Sequence, residues 1–195
     1  MAVEARAAAE GRPYLQSLKR EAAKVLHLLG LQEHELSVVL CDDGMIRQLN
    51  RDFRDKDKPT DVLSFEQAGG AMMPPEAAPQ LLGDVVISLD TASWQALALG
   101  QSLRERLRTL LIHGILHLIG YDHERSPAEA RRMFAREREL AAVLDGLNPP
   151  TPKRRVLPTA PPILSGTADA RKRVRRTRQA HSIIPAAVKP RRKTR

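Results

Sequence analysis

Between Leu110 and Ile119 the chain carries only leucine, isoleucine and one glycine, apart from two histidines, His113 and His117. The segment leading into it, from about Ser102, is charged in its first two turns by Arg104, Glu105, Arg106 and Arg108. Read as one helix, this stretch has a second half that is apolar all round, so that half is buried on every side. Other elements must surround it. Nowhere do eighteen apolar residues run together, so the burial comes from a protein core and not from a bilayer.

His113 and His117 stand four apart, which on a helix projects both rings from one face with Cβ atoms about 6 Å apart. Two histidines at this spacing in an apolar helix are commonly core residues bonded to backbone. The residues that follow change the reading. Gly120 can take the left-handed conformation that ends a helix, and His123 can then swing back toward the other two. Three neutral imidazoles converging with no fourth protein ligand describe a Zn²⁺ site with one open position. The spacing His-x3-His-x2-Gly-x2-His equals that of the metzincin zinc proteases. Gly114 stands where those enzymes carry their catalytic glutamate, so the metal geometry carries over and the protease chemistry does not. A three-histidine set also accepts nickel, cobalt or copper.

The chain of 195 residues suits one domain and an appendage, with 42% hydrophobic and only 3% aromatic residues, so the core is aliphatic. Cys41 is the only cysteine; it reads as a small buried hydrophobe, and the lack of any possible disulfide within the chain fits a reducing, cytoplasmic setting. The N-terminus, with Glu4, Arg6 and Glu10 among alanines, has no apolar stretch of signal-peptide length.

Pro13 to Leu29 reads as an amphipathic helix stopped by Gly30, and Glu35 to Cys41 as a strand. Asp42 or Asp43 caps a short helix through about Phe53, and the charged stretch Arg54 to Asp61 is a loop. Val62 to Phe65 and Gly83 to Ser88 read as strands, joined by a mobile connection rich in Gly, Pro and Met, Gln67 to Gln80. Asp90 is expected to cap a helix to about Leu99 that carries Trp94, with Gly100 breaking it. Ser126-Pro127-Ala128-Glu129 is a capping box that opens a last helix to about Leu144.

Beyond Asn148 the composition shifts. Residues 149 to 195 hold 8 of the 14 prolines and 14 Lys/Arg against the single acid Asp169, while residues 1 to 148 hold 18 Lys/Arg against 22 Asp/Glu. The net charge of +9 therefore comes from the tail. Residues 1–148 are expected to form the domain, and residues 149–195 a disordered basic arm able to contact RNA through its clustered cations.

Three stretches carry a family resemblance: His113 to His123 in full, Leu49 to Arg54 leading through Lys56 to Phe65, and Leu82 to Ile87. In this order they are similar to the bacterial endoribonuclease YbeY family, also called the rRNA maturation factor family, over roughly residues 13 to 147. The resemblance implies an α+β fold, a small mixed four-stranded sheet with about five helices around a buried central metal-binding helix. It implies a metal-dependent endoribonuclease specific for single strands, acting in 3′-end maturation of small-subunit rRNA and in ribosome quality control. It assigns His113, His117 and His123 to the zinc ligands and Arg54 to RNA cleavage, and it implies the small ribosomal subunit and the assembly GTPase Era as partners. Glu66 stands where the family usually has proline, and the tail inherits nothing from the family core.

On this reading Arg54 neutralises charge on a phosphate. It cannot be a base, because a guanidinium has no acceptor. Asp61 and Asp84 lie near strand ends and are candidates for orienting water, with a cap or turn role the simpler expectation; Asp122 is expected to bond backbone in its turn. A second reading is a ribosome-assembly factor that binds precursor rRNA and uses its zinc structurally, which the acidic balance of residues 1 to 148 favours.

Overall fold

The computed structural model describes residues 3–7, 9–66 and 80–146. The connection after Glu66 and the basic tail, on which expectations of mobility and disorder fell, lie outside the described residues. The strands are β1 (Val3–Ala7), β2 (His34–Cys41), β3 (Val62–Glu66) and β4 (Gln80–Ser88), and the helices α1 (Arg12–Leu28), α2 (Asp43–Arg54), α3 (Leu89–Leu99), α4 (Leu103–Leu118) and α5 (Pro127–Leu144). A single turn of 3-10 helix at Ala9–Gly11 links β1 to α1.

The sheet runs in the order β1-β2-β4-β3. β1, β2 and β4 are parallel, and β3 is antiparallel to β4 at the edge. The fold is therefore α+β, with a mixed four-stranded sheet and five α-helices among the described residues. A register shift between Glu35 and Leu36 leaves Leu82 of β4 without a partner on β2, a bulge that re-aims the strand as it enters the core. From there Val85 and Ile87 join Leu36, Val38 and Leu40 in one aliphatic cluster with Leu18, Ala22, Val25 and Leu26 of α1 and with most of α4. Side chains alternate across a strand, so Val39, Cys41, Leu63 and Val86 lie on the other face, where Ile46 of α2 is fully buried. Cys41 is a buried thiol, as expected, and burial first, with Asp42, Asp43 and Asp90 adding, pushes its pKa up to about 12.

α4 occupies the centre. Leu107, Leu110, Leu111, Ile112, Gly114, Ile115, Leu116 and Leu118 are all buried, and the helix packs against β3, β4, α1, α3 and α5. The charges of its first turns are not simply solvated. Arg108 and Arg104 both donate to Glu21 of α1, at 3.1 and 3.3 Å, and Arg108 also pairs with Asp145 after α5. Glu21 is itself buried, so this network ties three helices together at one point.

Several sequence expectations need correction. β1 was not read from the sequence; its alternation of Val3, Ala5 and Ala7 with Glu4 and Arg6 is a strand pattern written in small residues. β4 starts three residues earlier than Gly83. Ser88, not Asp90, caps α3, accepting from the Thr91 N–H at 3.2 Å, while the Asp90 carboxylate accepts from the Asp43 N–H of α2 at 2.9 Å. The reason is that β4 passes into α3 without a loop, so the last strand residue must serve as the cap. The start of α5 is as expected at Ser126, whose hydroxyl accepts from the Glu129 N–H at 3.2 Å. The Glu129 side chain does not complete the box, and its buried Oε2 has no partner among the described residues.

Candidate metal centre

The capping box at the start of α4 pairs Ser102 with Glu105 in both directions, which sets the helix phase one turn before the core. From that phase His113 and His117 emerge on one side, half-buried, with Nε2 atoms 3.2 Å apart. Gly120 then takes φ +89°, a conformation that costs an ordinary side chain energy and glycine none. The turn that follows brings His123 back, its ring centroid 5.1 Å from His113 and 5.2 Å from His117. One ring nitrogen from each histidine lies within 4.8 Å of the others.

Electrostatics favour a neutral ring at His117. Burial first, then His113 and His123, lower the His117 pKa to about 4, with Arg54 acting in the same direction and Asp122 opposing. At neutral pH the ring therefore keeps a lone pair for a metal. The donor set, three imidazole nitrogens facing one point with no carboxylate or thiolate among them, fits a divalent transition ion with an open position.

Arg54 is the last residue of α2 and not a loop residue as expected from sequence. It is exposed, and among the described residues its side chain has no acid partner. Its neighbours differ: Arg47 forms a forked pair with Asp57 at 2.8 and 2.9 Å, and Arg51 pairs with Asp52 at 3.2 Å. Arg54 is the smallest of the influences that bear on the His117 pKa, and it lowers it.

The carboxylates considered from sequence all have partners. Asp61 accepts from the Val62 N–H, from Gln95 and from Arg106, at 2.9, 3.1 and 3.2 Å. Asp84 is buried on β4 opposite Phe65 and has partners of its own. Asp122 accepts from the Glu124 N–H at 2.8 Å and pairs with Arg125 at 3.1 Å, the turn role expected of it.

Two residues escaped sequence reasoning. Glu137 Oε2 lies 3.0 Å from His113 Nδ1, and Phe134 stacks on His123 with centroids 5.7 Å apart and planes inclined by 19°. A signal was present. Met133 and Leu140 mark the buried face of α5, and Glu137 sits between them at helical spacing, a carboxylate within an apolar stripe.

A mixed sheet wrapped around a central helix that gathers three imidazoles defines the class: an α+β protein with a three-histidine, metal-competent site. Residues 6–145 match the family model described as endoribonuclease YbeY, and the chain belongs to that family. It is 50% identical over 129 residues to the endoribonuclease YbeY of Geobacter metallireducens, covering 66% of this chain and 85% of the relative. The Aquifex aeolicus endoribonuclease YbeY is 49% identical over 118 residues, covering 59% of this chain and 73% of the relative. The solution structure of a Thermotoga maritima protein superposes with a TM-score of 0.52 at 26% identity, covering 78% of this chain and 99% of that one. No helix among the described residues is long and apolar enough to cross a membrane.

Proposed function

We propose that this protein is a metal-dependent endoribonuclease that cuts single-stranded RNA during 3′-end maturation of small-subunit rRNA and in ribosome quality control. The observation that carries the reading is the meeting of His113, His117 and His123 at one point, near Arg54, which has no acid partner among the described residues. Membership of the family and the names of its relatives support RNA as the substrate. Zn²⁺ is the ion proposed, one per chain, because three histidine nitrogens in an open set suit it. When bound, such an ion supplies Lewis-acid polarisation of a phosphodiester oxygen or of water.

The chain's own groups divide the remaining work. His113, His117 and His123 would hold the ion. Arg54 donates its planar fork to the scissile phosphate and neutralises charge that grows there in the transition state. Asp61 and Asp122 take no proton in this scheme, because their oxygens are already occupied by N–H donors. Residues 1–148 are proposed as the catalytic domain and 149–195 as an electrostatic arm. The small ribosomal subunit and the assembly GTPase Era are proposed partners by family resemblance, in the cytoplasm.

The acidic balance of residues 1 to 148 favours one rival, an assembly factor that binds precursor rRNA and uses its metal structurally. Highly purified protein, given a single-stranded rRNA precursor beside His117→Ala and Arg54→Ala variants shown to be folded, separates the two. Cleavage by wild type alone is the expected result. Equal cleavage by all three marks a contaminant, and no cleavage by any leaves the assembly role. A 2′,3′-cyclic phosphate on the product would identify the RNA's own 2′-hydroxyl as the attacking group.

A further inference from the structure

We infer that Glu137 is a positioning residue: it accepts the Nδ1 proton of His113, fixes that ring in one tautomer and aims Nε2 at the point where the three histidines meet. The inference deepens the metal reading above and rests on it. The geometry is direct, since Oε2 lies 3.0 Å from Nδ1 while the opposite ring nitrogen, Nε2, faces His117 Nε2 at 3.2 Å. An imidazole whose Nδ1–H is held by a carboxylate has its lone pair on Nε2, and the carboxylate makes that nitrogen a stronger donor to a metal.

The surroundings of Glu137 argue against a role in stability alone. Its side chain is only 17% exposed, and among the described residues it has no Lys or Arg partner. It lines a small cavity of about 170 Å³ with Asp61, Arg106 and Thr109, yet Arg106 there is committed to Asp61 and to Gln95, the latter at 2.8 Å. A half-buried carboxylate without a cation costs the fold desolvation energy. What it gains in return is the orientation of one histidine. One turn earlier on the same helix, Phe134 stacks on His123, so α5 braces two of the three rings from outside while α4 carries His113 and His117.

The test uses the full chain and Zn²⁺ alone, with Glu137→Ala and Glu137→Gln variants. In metal-free wild type, ¹⁵N NMR of the histidine rings should show His113 as the Nδ1–H tautomer. Glu137→Ala should lose that preference and bind Zn²⁺ about 10–100-fold more weakly in a chelator competition, with an unfolding temperature unchanged or raised. Glu137→Gln, whose amide oxygen can still accept from Nδ1, should keep the tautomer and recover part of the affinity. An unaltered tautomer and affinity in Glu137→Ala would overturn the assignment, as would an affinity loss that merely follows a fall in unfolding temperature. Failure of wild type itself to bind Zn²⁺ would overturn the metal reading and this inference together, which distinguishes the two failures.

Discussion

Gly114 stands where a zinc protease has its glutamate, and the packing around it gives the reason that no side chain is found there. A Cβ at this position would lie 2.6 Å from Val85 Cγ1 and 3.2 Å from Ser64 Oγ, and Ser64 already donates to the Gly114 carbonyl at 3.0 Å. A Cβ here would point at the sheet, so a glutamate grafted at this position would clash with β4. Gly114→Ala should destabilise the protein by about 1–3 kcal/mol, even though alanine is intrinsically the better helix former by about 1 kcal/mol. Urea unfolding reads this, and adding Val85→Ala should return part of the loss; a neutral or stabilising Gly114→Ala would show that the helix can move off the sheet. The histidines were legible because a helix and a glycine turn fix their relation within eleven residues of chain. Glu137 was not, because whether it meets His113 depends on how α5 docks, and no local spacing encodes that.

At the scale of elements, the entry to β3 is strapped to two helices through one carboxylate. Asp61 holds Gln95 of α3 and Arg106 of α4. Burial works against its ionisation, but the bonds from Gln95, the Val62 N–H and Arg106 win, and its pKa lies below the usual carboxylate range. A folded-state pKa depressed in this way contributes stability that is complete above the unfolded value of about 3.9 and lost as pH falls through the lower folded value. Asp61→Asn should therefore cost about 1–3 kcal/mol at pH 7. The gap from wild type should close as the pH is taken below 4, and a gap independent of pH would remove the carboxylate from the account. Elements with strong punctuation were legible. Pro13 opened α1, Ser126 and Pro127 opened α5, and Gly100 closed α3. β1 was missed because its inward residues are one valine and two alanines, too small to raise a hydrophobic signal. The α3 cap was misplaced because Asp90 and Ser88 are both good cap residues; where β4 runs straight into α3, Ser88 is the cap, and the Asp90 carboxylate accepts from the Asp43 N–H of α2 instead.

For the whole molecule, charge is divided along the chain, with the excess of cations in residues 149 to 195 and a slight excess of acids before them. Deleting residues 149–195 should weaken RNA binding mainly at low salt and flatten the dependence of affinity on salt, because fewer phosphate counterions are released. Binding measured across a salt series checks this, and an unchanged affinity and slope would sink the arm. The sequence by itself determined that a buried helix lies at the centre, that two of its histidines share a face, and that a third returns past a glycine. These are consequences of local period and backbone freedom, which neighbouring residues dictate. Only the tertiary structure decided that Arg54, at the end of α2, lies within electrostatic reach of His117 while Arg47 and Arg51 are spent on acids. It also decided that Asp61 is structural, and that α5 lays Glu137 and Phe134 against the histidines. Each of those depends on which faces of distant elements pack together, and that is settled by the fit of whole surfaces around α4 and not by spacing along the chain.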